Sequence, residues 1–180
     1  VLFCLTRYYP HKNLELLAEV FERYGDQLAD VVILCTVEAH QHPLAAKFLA
    51  RIGKSPLCNN IISVGVLQQK ELSGYYHFSD ALMLPSFLES FTGTYLEAME
   101  YRKPILTSDM DFARVVCGEA ASYFDPFSPV ACRDAIRELI DSPTRESSLI
   151  AAGIERRASF VRCWDDIVSE AVGHLYSLLD

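Results

Sequence analysis

The chain has 180 residues, of which 51% are hydrophobic, and it carries a formal net charge of −8. This length and composition predict one domain with a full buried core, and no apolar run in the sequence is long enough to cross a membrane. The negative charge argues against general binding to nucleic acids or anionic membranes, so an anionic ligand would need a local positive pocket.

Strand-like and helix-like patterns alternate along most of the chain and then give way to helices alone. The predicted strands are residues 1–5, 31–35, 61–64, 81–84, 104–107 and 122–124. The predicted helices are residues 14–24, 43–52, 71–78, a segment carrying Glu97 that ends near residue 102, and then 129–140, 143–157 and 160–179. This order predicts an α/β fold: a doubly wound, Rossmann-like parallel sheet of about six strands with helices on both faces, followed by a helical C-terminal segment.

Two cations follow the first predicted strand. Arg7 and Lys12 flank a short loop that opens the first helix, at the edge of the sheet where ligands of such folds bind. Two fixed cations beside a helix N-terminus suit a diphosphate. The alternative is that both are solvated surface cations.

Two carboxylates follow the fourth predicted strand. Glu89 and Glu97 flank a small polar segment that can open a helix. They could grip hydroxyl groups next to a phosphate held by the backbone amides of that helix. Glu97 could instead close a capping box with Thr94, which lies three residues earlier, and Glu89 could be an ordinary loop carboxylate.

These four residues fall on neighbouring strands if the sheet has the doubly wound order 3-2-1-4-5-6, since the first and fourth strands then meet at the switch point. Groups for a phosphate and groups for hydroxyls would lie side by side there. That combination predicts a site for a nucleotide sugar.

Other candidate sites are weaker. Asp109 and Asp111 form a D-x-D, a spacing that recurs at metal sites, which we interpret here as a plain loop. The six cysteines include no C-x-x-C pair, which leaves zinc and thioredoxin chemistry without support and favours a reduced, cytosolic protein. No G-x-G-x-x-G is present, so a dinucleotide-binding domain is disfavoured.

An ordered set of short motifs resembles one known family. In chain order the set is Arg7…Lys12-Asn13, Ile62 to Leu67, Ser79-Asp80-Ala81, Pro85-Ser86, Glu89-x7-Glu97-Ala98-Met99, Pro104-Ile105 and Tyr123 to Pro126. With these pieces the chain resembles the C-terminal domain of a retaining GT-B glycosyltransferase of family 4, the glycosyl transferases group 1 class. The resemblance covers nearly the whole chain.

The resemblance implies a role for each matching residue. Arg7 and Lys12 would bind the donor diphosphate, Glu89 would contact the transferred sugar, and Glu97 would hold the ribose hydroxyls. The remaining donor-binding residues would be Ser90, Phe91, Thr92, Gly93 and Thr94, with the loop Gly65, Val66 and Leu67 against the base. Three places depart from the family pattern: Thr6 and Thr92 each stand where Gly is usual, and Thr36-Val37-Glu38 replaces a Gly-rich turn.

The resemblance also implies an activity and partners. Residues 1–180 would form one donor-binding domain of an enzyme that transfers a hexose from a UDP- or GDP-sugar to a glycan or a lipid-linked acceptor, in polysaccharide biosynthesis. The chain starts in a strand without an initiator Met, so we interpret it as part of a longer protein whose N-terminal acceptor domain is absent, and we expect it to be inactive alone. No metal cofactor and no nucleic acid are expected.

We expect the enzyme to be cytoplasmic, and peripheral association of the full-length protein with the inner face of the membrane stays open. Two other functions also stay open at this point. One is a non-catalytic module that only binds a nucleotide sugar, and the other is a domain of a nucleotide-sugar epimerase.

Overall fold

The computed structural model describes residues 1–160 and 164–178, which form six strands and eight α-helices. The strands are β1 (Leu2–Cys4), β2 (Ile33–Cys35), β3 (Ile61–Ser63), β4 (Ala81–Leu84), β5 (Ile105–Ser108) and β6 (Ala121–Phe124). The helices are α1 (Leu14–Tyr24), α2 (Pro43–Lys54), α3 (Gln69–Phe78), α4 (Gly93–Glu100), α5 (Asp111–Cys117), α6 (Pro129–Asp141), α7 (Pro143–Ala158) and α8 (Trp164–Ser177).

The six strands form one parallel sheet in the order β3-β2-β1-β4-β5-β6. This confirms the predicted doubly wound order, in which β1 and β4 are neighbours. In the register, Phe3 of β1 lies between Leu34 of β2 and Leu82 of β4. The short strands are apolar at successive positions because helices cover both faces of the sheet.

Successive residues of β1 point into two different cores. Leu2 and Cys4 pack with α1, α2 and α6 on one face, while Phe3 packs with α3, α4 and α5 on the other. Phe3 is fully buried, and burial of such a side chain stabilises the fold by about 1.5–3 kcal/mol. The predicted placement of helices on both faces is therefore confirmed.

The helical C-terminal segment is also present, with different bounds from those predicted. Helix α8 begins at Trp164 rather than at Phe160, and Leu179 lies outside the described residues. Apolar side chains of α8 face outward, since Val168 and Leu175 are 55% and 63% exposed. Among the described residues, no helix is both long and apolar enough to span a bilayer.

Helix α5 was not predicted from the sequence. It spans seven residues, of which Ala113, Val116 and Cys117 are buried. Two turns give too short a stretch for a helical period to stand out. The interpretation of the D-x-D as a plain loop is therefore only partly correct. Asp109 lies in the loop before α5, whereas Asp111 is the first residue of that helix.

Candidate functional site

The loops that follow β1 and β4 meet at the carboxyl edge of the sheet. This follows from the direct pairing of the two strands, and it is the position of the switch point in a doubly wound sheet. The backbone N–H of Phe87, after β4, donates a hydrogen bond of 2.7 Å to the carbonyl of His11, after β1. The two predicted clusters of charged residues therefore share one edge of the domain.

Lys12 and Glu89 are in direct contact. The Lys12 Nζ donates to the Glu89 Oε1 at 2.6 Å, and the two side chains are 16% and 9% exposed. Lys12 is thus not the solvated surface cation that the alternative interpretation described, and Glu89 is not an ordinary loop carboxylate. Salt screens an ion pair this sheltered from water only weakly. The pair therefore links the loop after β1 to the loop after β4.

Arg7 is placed differently. Its side chain is exposed, and its guanidinium makes no hydrogen bond or ion pair with any residue in the described ranges. It lines a shallow depression together with Leu5, Thr6, Thr36 and the loop residues Val66 and Leu67. The charge of Arg7 therefore remains available to an anion that enters this depression.

Asn13 ties three loops together behind Lys12. It has a left-handed backbone, with φ of 53°, a conformation that Asn tolerates better than most residues. Its buried side-chain amide donates to the carbonyls of Pro85 and Pro126, both at 3.1 Å. The loops after β1, β4 and β6 are joined through this one side chain, a role that the sequence analysis missed although it quoted Asn13 beside Lys12.

The segment between β1 and Arg7 is fixed by two threonines at positions that depart from the family pattern. The Thr36 hydroxyl accepts from the Thr6 N–H at 2.9 Å and donates to the Thr6 carbonyl at 2.8 Å. The Tyr8 N–H donates to the Gln41 Oε1 at 2.8 Å. Side chains thus satisfy backbone groups of this turn, and the sequence analysis did not assign Thr36 or Gln41 to the site.

Glu97 does not form the capping box with Thr94. Helix α4 starts at Gly93, with Thr92 as its N-cap and no capping hydrogen bond from the side chain. Glu97 therefore lies in the second turn, too far along the helix to reach the first residue. Its Oε2 instead accepts a hydrogen bond of 2.9 Å from the Tyr76 hydroxyl on α3.

The N-terminus of α4 opens beside the Lys12–Glu89 pair. The amides of its first turn have no partner within the helix, and a side-chain carbon added at Gly93 would meet no atom within 4 Å. The segment before it contributes Ser90 and Phe91, both exposed, and the half-buried Thr92. Free amides at the start of a helix are the groups with which helix N-termini bind anions.

The loop after β3 lies across the depression from Arg7. Gly65 has φ of +76°, and an added side-chain carbon there would lie 2.8 Å from the Glu38 Oε1. The same Glu38 oxygen accepts from the Val66 N–H at 3.0 Å. Glu38, which stands in the segment that replaces the family's Gly-rich turn, therefore fixes the predicted base-contacting loop.

The D-x-D and the five cysteines in the described ranges form no additional site. Asp109 pairs with Arg114 through two hydrogen bonds of 2.5 and 2.9 Å. Within residues 1–160 and 164–178, no group of three or more His, Cys, Asp or Glu side chains is arranged to hold a metal ion. The five described cysteines are free and buried. Burial raises the pKa of Cys35 to about 11 and that of Cys132 to about 12, so neither is a ready nucleophile.

The chain is similar in sequence to a known protein family and to an individual enzyme. The sequence profile of the family described as glycosyl transferases group 1 matches residues 1–156. A D-inositol 3-phosphate glycosyltransferase of Corynebacterium diphtheriae is 26% identical over 155 residues, which cover 84% of this chain and 36% of that protein.

Solved structures share the fold. A glycosyltransferase from Rickettsia africae superposes with a TM-score of 0.82 at 15% identity, covering 99% of this chain and 48% of its own. TarM of S. aureus, solved in complex with fondaparinux, α-GlcNAc-glycerol and UDP, superposes with a TM-score of 0.76 at 15% identity, covering 89% of this chain and 32% of its own. The chain thus spans about a third to a half of the length of these proteins.

Proposed function

The chain belongs to the glycosyl transferases group 1 family, and we propose that it is the domain of a retaining glycosyltransferase that binds the nucleotide-sugar donor, a UDP- or GDP-hexose. One observation carries the proposal. Lys12, which suits a diphosphate, contacts Glu89, which suits hydroxyl groups, where the loops after the paired strands β1 and β4 meet. The UDP in the TarM complex supports a nucleoside diphosphate as the ligand.

The diphosphate would lie over the N-terminus of α4, between Arg7 and Lys12. An ammonium group has three N–H donors, so Lys12 can keep its bond to Glu89 and still donate to a phosphate oxygen. When the bond between the anomeric carbon and the diphosphate oxygen breaks, its electron pair stays on the diphosphate. The two cations and the free amides of α4 stabilise that growing negative charge without having to reorganise.

The hydroxyl groups of the donor would be held by the two glutamates. Glu89, fixed by Lys12, would accept hydrogen bonds from the transferred sugar, and Glu97 would accept them from the ribose. The loop from Gly65 to Leu67 would lie against the base, because it faces Arg7 across the same depression. The backbone amides from Ser90 to Thr94 would contact the sugar and the phosphates.

We further propose that donor binding requires no metal and that the acceptor binds to a part of the protein outside this chain. Arg7 and Lys12 supply positive charge to the diphosphate, while Asp109 is already engaged by Arg114. The chain spans about a third to a half of the length of the proteins it matches, so we expect the chain alone to bind the donor and to transfer no sugar. The free cysteines support a reducing compartment, the cytoplasm.

Calorimetric titration of the chain with UDP, GDP and ADP, each with and without excess chelator, tests the proposal. We expect binding of at least one of UDP and GDP that the chelator does not weaken. The variant Arg7→Ala should lower that affinity about 10- to 100-fold, the worth of a hydrogen bond to a charged group. Lys54→Ala removes another exposed cation, at the far end of α2, and should leave the affinity unchanged. Failure of both UDP and GDP to bind, or binding that needs manganese, would contradict the proposal.

A further inference from the structure

A buried phenol lies directly behind Glu97. Tyr76 of α3 is 1% exposed, and its hydroxyl donates to the Glu97 Oε2 at 2.9 Å. Within the described part of the chain this is the hydrogen bond that the Glu97 carboxylate makes, and no ion pair accompanies it. The orientation of the carboxylate therefore depends on one neighbouring hydroxyl.

The ring of Tyr76 cannot swing away from this position. It stacks on Tyr101 with ring centroids 4.8 Å apart and planes 7° apart. On another side it meets Phe3 edge-on, with centroids 5.3 Å apart and planes 87° apart. Phe3 belongs to the central strand β1, so the phenol is anchored to the core of the domain.

The proton of this hydrogen bond belongs to Tyr76. Burial, followed by the nearby charge of Glu97, raises the pKa of the phenol well above its ordinary value. The hydroxyl therefore remains protonated and donates to the carboxylate. A carboxylate has two oxygens, and a bond to Oε2 leaves Oε1 free for a ligand.

The open side of Glu97 faces a surface depression. Its wall includes Gln69 and Leu72 of α3, Leu96 of α4, and Glu100, which pairs with Arg157 at 3.2 Å. Glu100 is thus already paired with Arg157, whereas no cation among the described residues pairs with Glu97. Of the two carboxylates in this depression, Glu97 is therefore the one whose Oε2 is held by a hydrogen bond and whose Oε1 has no described partner.

We propose that Tyr76 is a positioning residue that presents the Glu97 carboxylate to the ribose diol and so makes the site selective for ribonucleotides. This inference rests on the proposed function, because it assumes that Glu97 meets the ribose. Without the hydroxyl, the glutamate would have to lose its rotational freedom on binding, which costs affinity. The loss would be confined to ligands that carry the diol, since only they use the oriented carboxylate.

The test compares Tyr76→Phe with the unaltered chain by calorimetry, using UDP or GDP, whichever binds, and the 2′,3′-dideoxy form of the same nucleotide. We expect Tyr76→Phe to weaken the ribonucleotide about three- to tenfold and to leave the dideoxy nucleotide unaffected. Tyr101→Phe is the matched control: it removes from the same ring stack a phenolic hydroxyl that makes no hydrogen bond to the Glu97 carboxylate. It should bind both ligands as the unaltered chain does.

A further variant shows whether Tyr76 acts through Glu97. The double variant Tyr76→Phe/Glu97→Gln should bind the ribonucleotide no more weakly than Glu97→Gln alone, since the carboxylate to be positioned is gone. Equal losses for the ribonucleotide and the dideoxy nucleotide in Tyr76→Phe would overturn the inference in favour of a purely structural role.

Two other outcomes separate the inference from the proposed function. If Glu97→Gln lost affinity only for the ribonucleotide while Tyr76→Phe lost none, the ribose role would stand and the positioning role would be wrong. If the unaltered chain bound no nucleoside diphosphate, the proposed function and this inference would both be overturned.

Discussion

The contact between Lys12 and Glu89 makes a specific prediction about stability. Taken as surface cations, both Lys12 and Arg7 would tolerate substitution with little change in melting temperature. The structure instead places Lys12 in a sheltered ion pair with an Nζ–Oε1 distance of 2.6 Å. We therefore expect Lys12→Met and Glu89→Gln each to destabilise the domain, because each leaves the remaining charge without its partner.

The size of the effect follows from the exposure of the pair. Exposed ion pairs contribute about 0–1 kcal/mol, while removal of one partner from a fully buried pair costs about 3–5 kcal/mol. With 16% and 9% of the two side chains exposed, the pair lies between these limits, and we expect a loss of about 2–3 kcal/mol for each single variant. In a domain of this size that is a fall of about 4–12 °C in melting temperature.

Thermal unfolding of the two single variants and of Lys12→Met/Glu89→Gln completes a double-mutant cycle. The double variant should melt closer to the unaltered chain than either single variant, because it leaves no unpaired charge behind. Lys54→Met removes an exposed cation on α2 and serves as the control, with a melting temperature near that of the unaltered chain. Additive effects in the cycle, or single variants that melt with the control, would refute the reasoning that this pair holds the two loops together.

Three further predictions concern neighbouring features. Arg7→Ala should leave the melting temperature within a degree or two of the unaltered chain, because its exposed guanidinium has no described partner; a clear drop in thermal unfolding would assign it a structural role. Thr36→Val should lower the unfolding free energy by about 1–3 kcal/mol, since it leaves the Thr6 N–H and carbonyl unpaired, and a denaturant titration that shows no loss would contradict the described hydrogen bonds. Arg51 bonds both oxygens of Glu22 at 2.9 and 2.6 Å and lowers the pKa of that carboxyl from its ordinary value of 4.5. The stabilisation by this ion pair is therefore complete above pH 4.5 and is lost as the pH falls through the lowered pKa of Glu22. The variant Glu22→Gln should lose less melting temperature on acidification than the unaltered chain does. An unchanged pH profile of the melting temperature would argue against the pair.

The sheet could be predicted because its information is local and repeated. Each strand is a short apolar run followed by a helical pattern, and the chirality of such crossovers leaves few possible orders. That order alone brought the loop of Lys12 next to the loop of Glu89. The contact between the two side chains could not be predicted, because it depends on the shape of two loops whose residues lie 77 positions apart.

The parts of the site that escaped prediction depend on where the backbone turns. The capping box predicted between Thr94 and Glu97 is absent because the helix starts at Gly93. Nothing in the sequence of the polar segment indicated that start. Asn13 and Thr36 were missed for a related reason. Their side chains bond to backbone groups of other loops, and a sequence does not show which backbone groups a fold leaves without partners.

The most direct test of the account is to map the bound nucleotide onto the domain. Amide chemical shifts of the isotope-labelled chain, recorded during titration with UDP or GDP, should change at residues 6–13, 65–67 and 89–97, which border the carboxyl edge between β1 and β4. The chemical shifts of amides at the opposite edge of the sheet and in α8 should not change. Saturable changes confined to those other regions, or no saturable change at all, would contradict the claim that this edge binds the donor diphosphate.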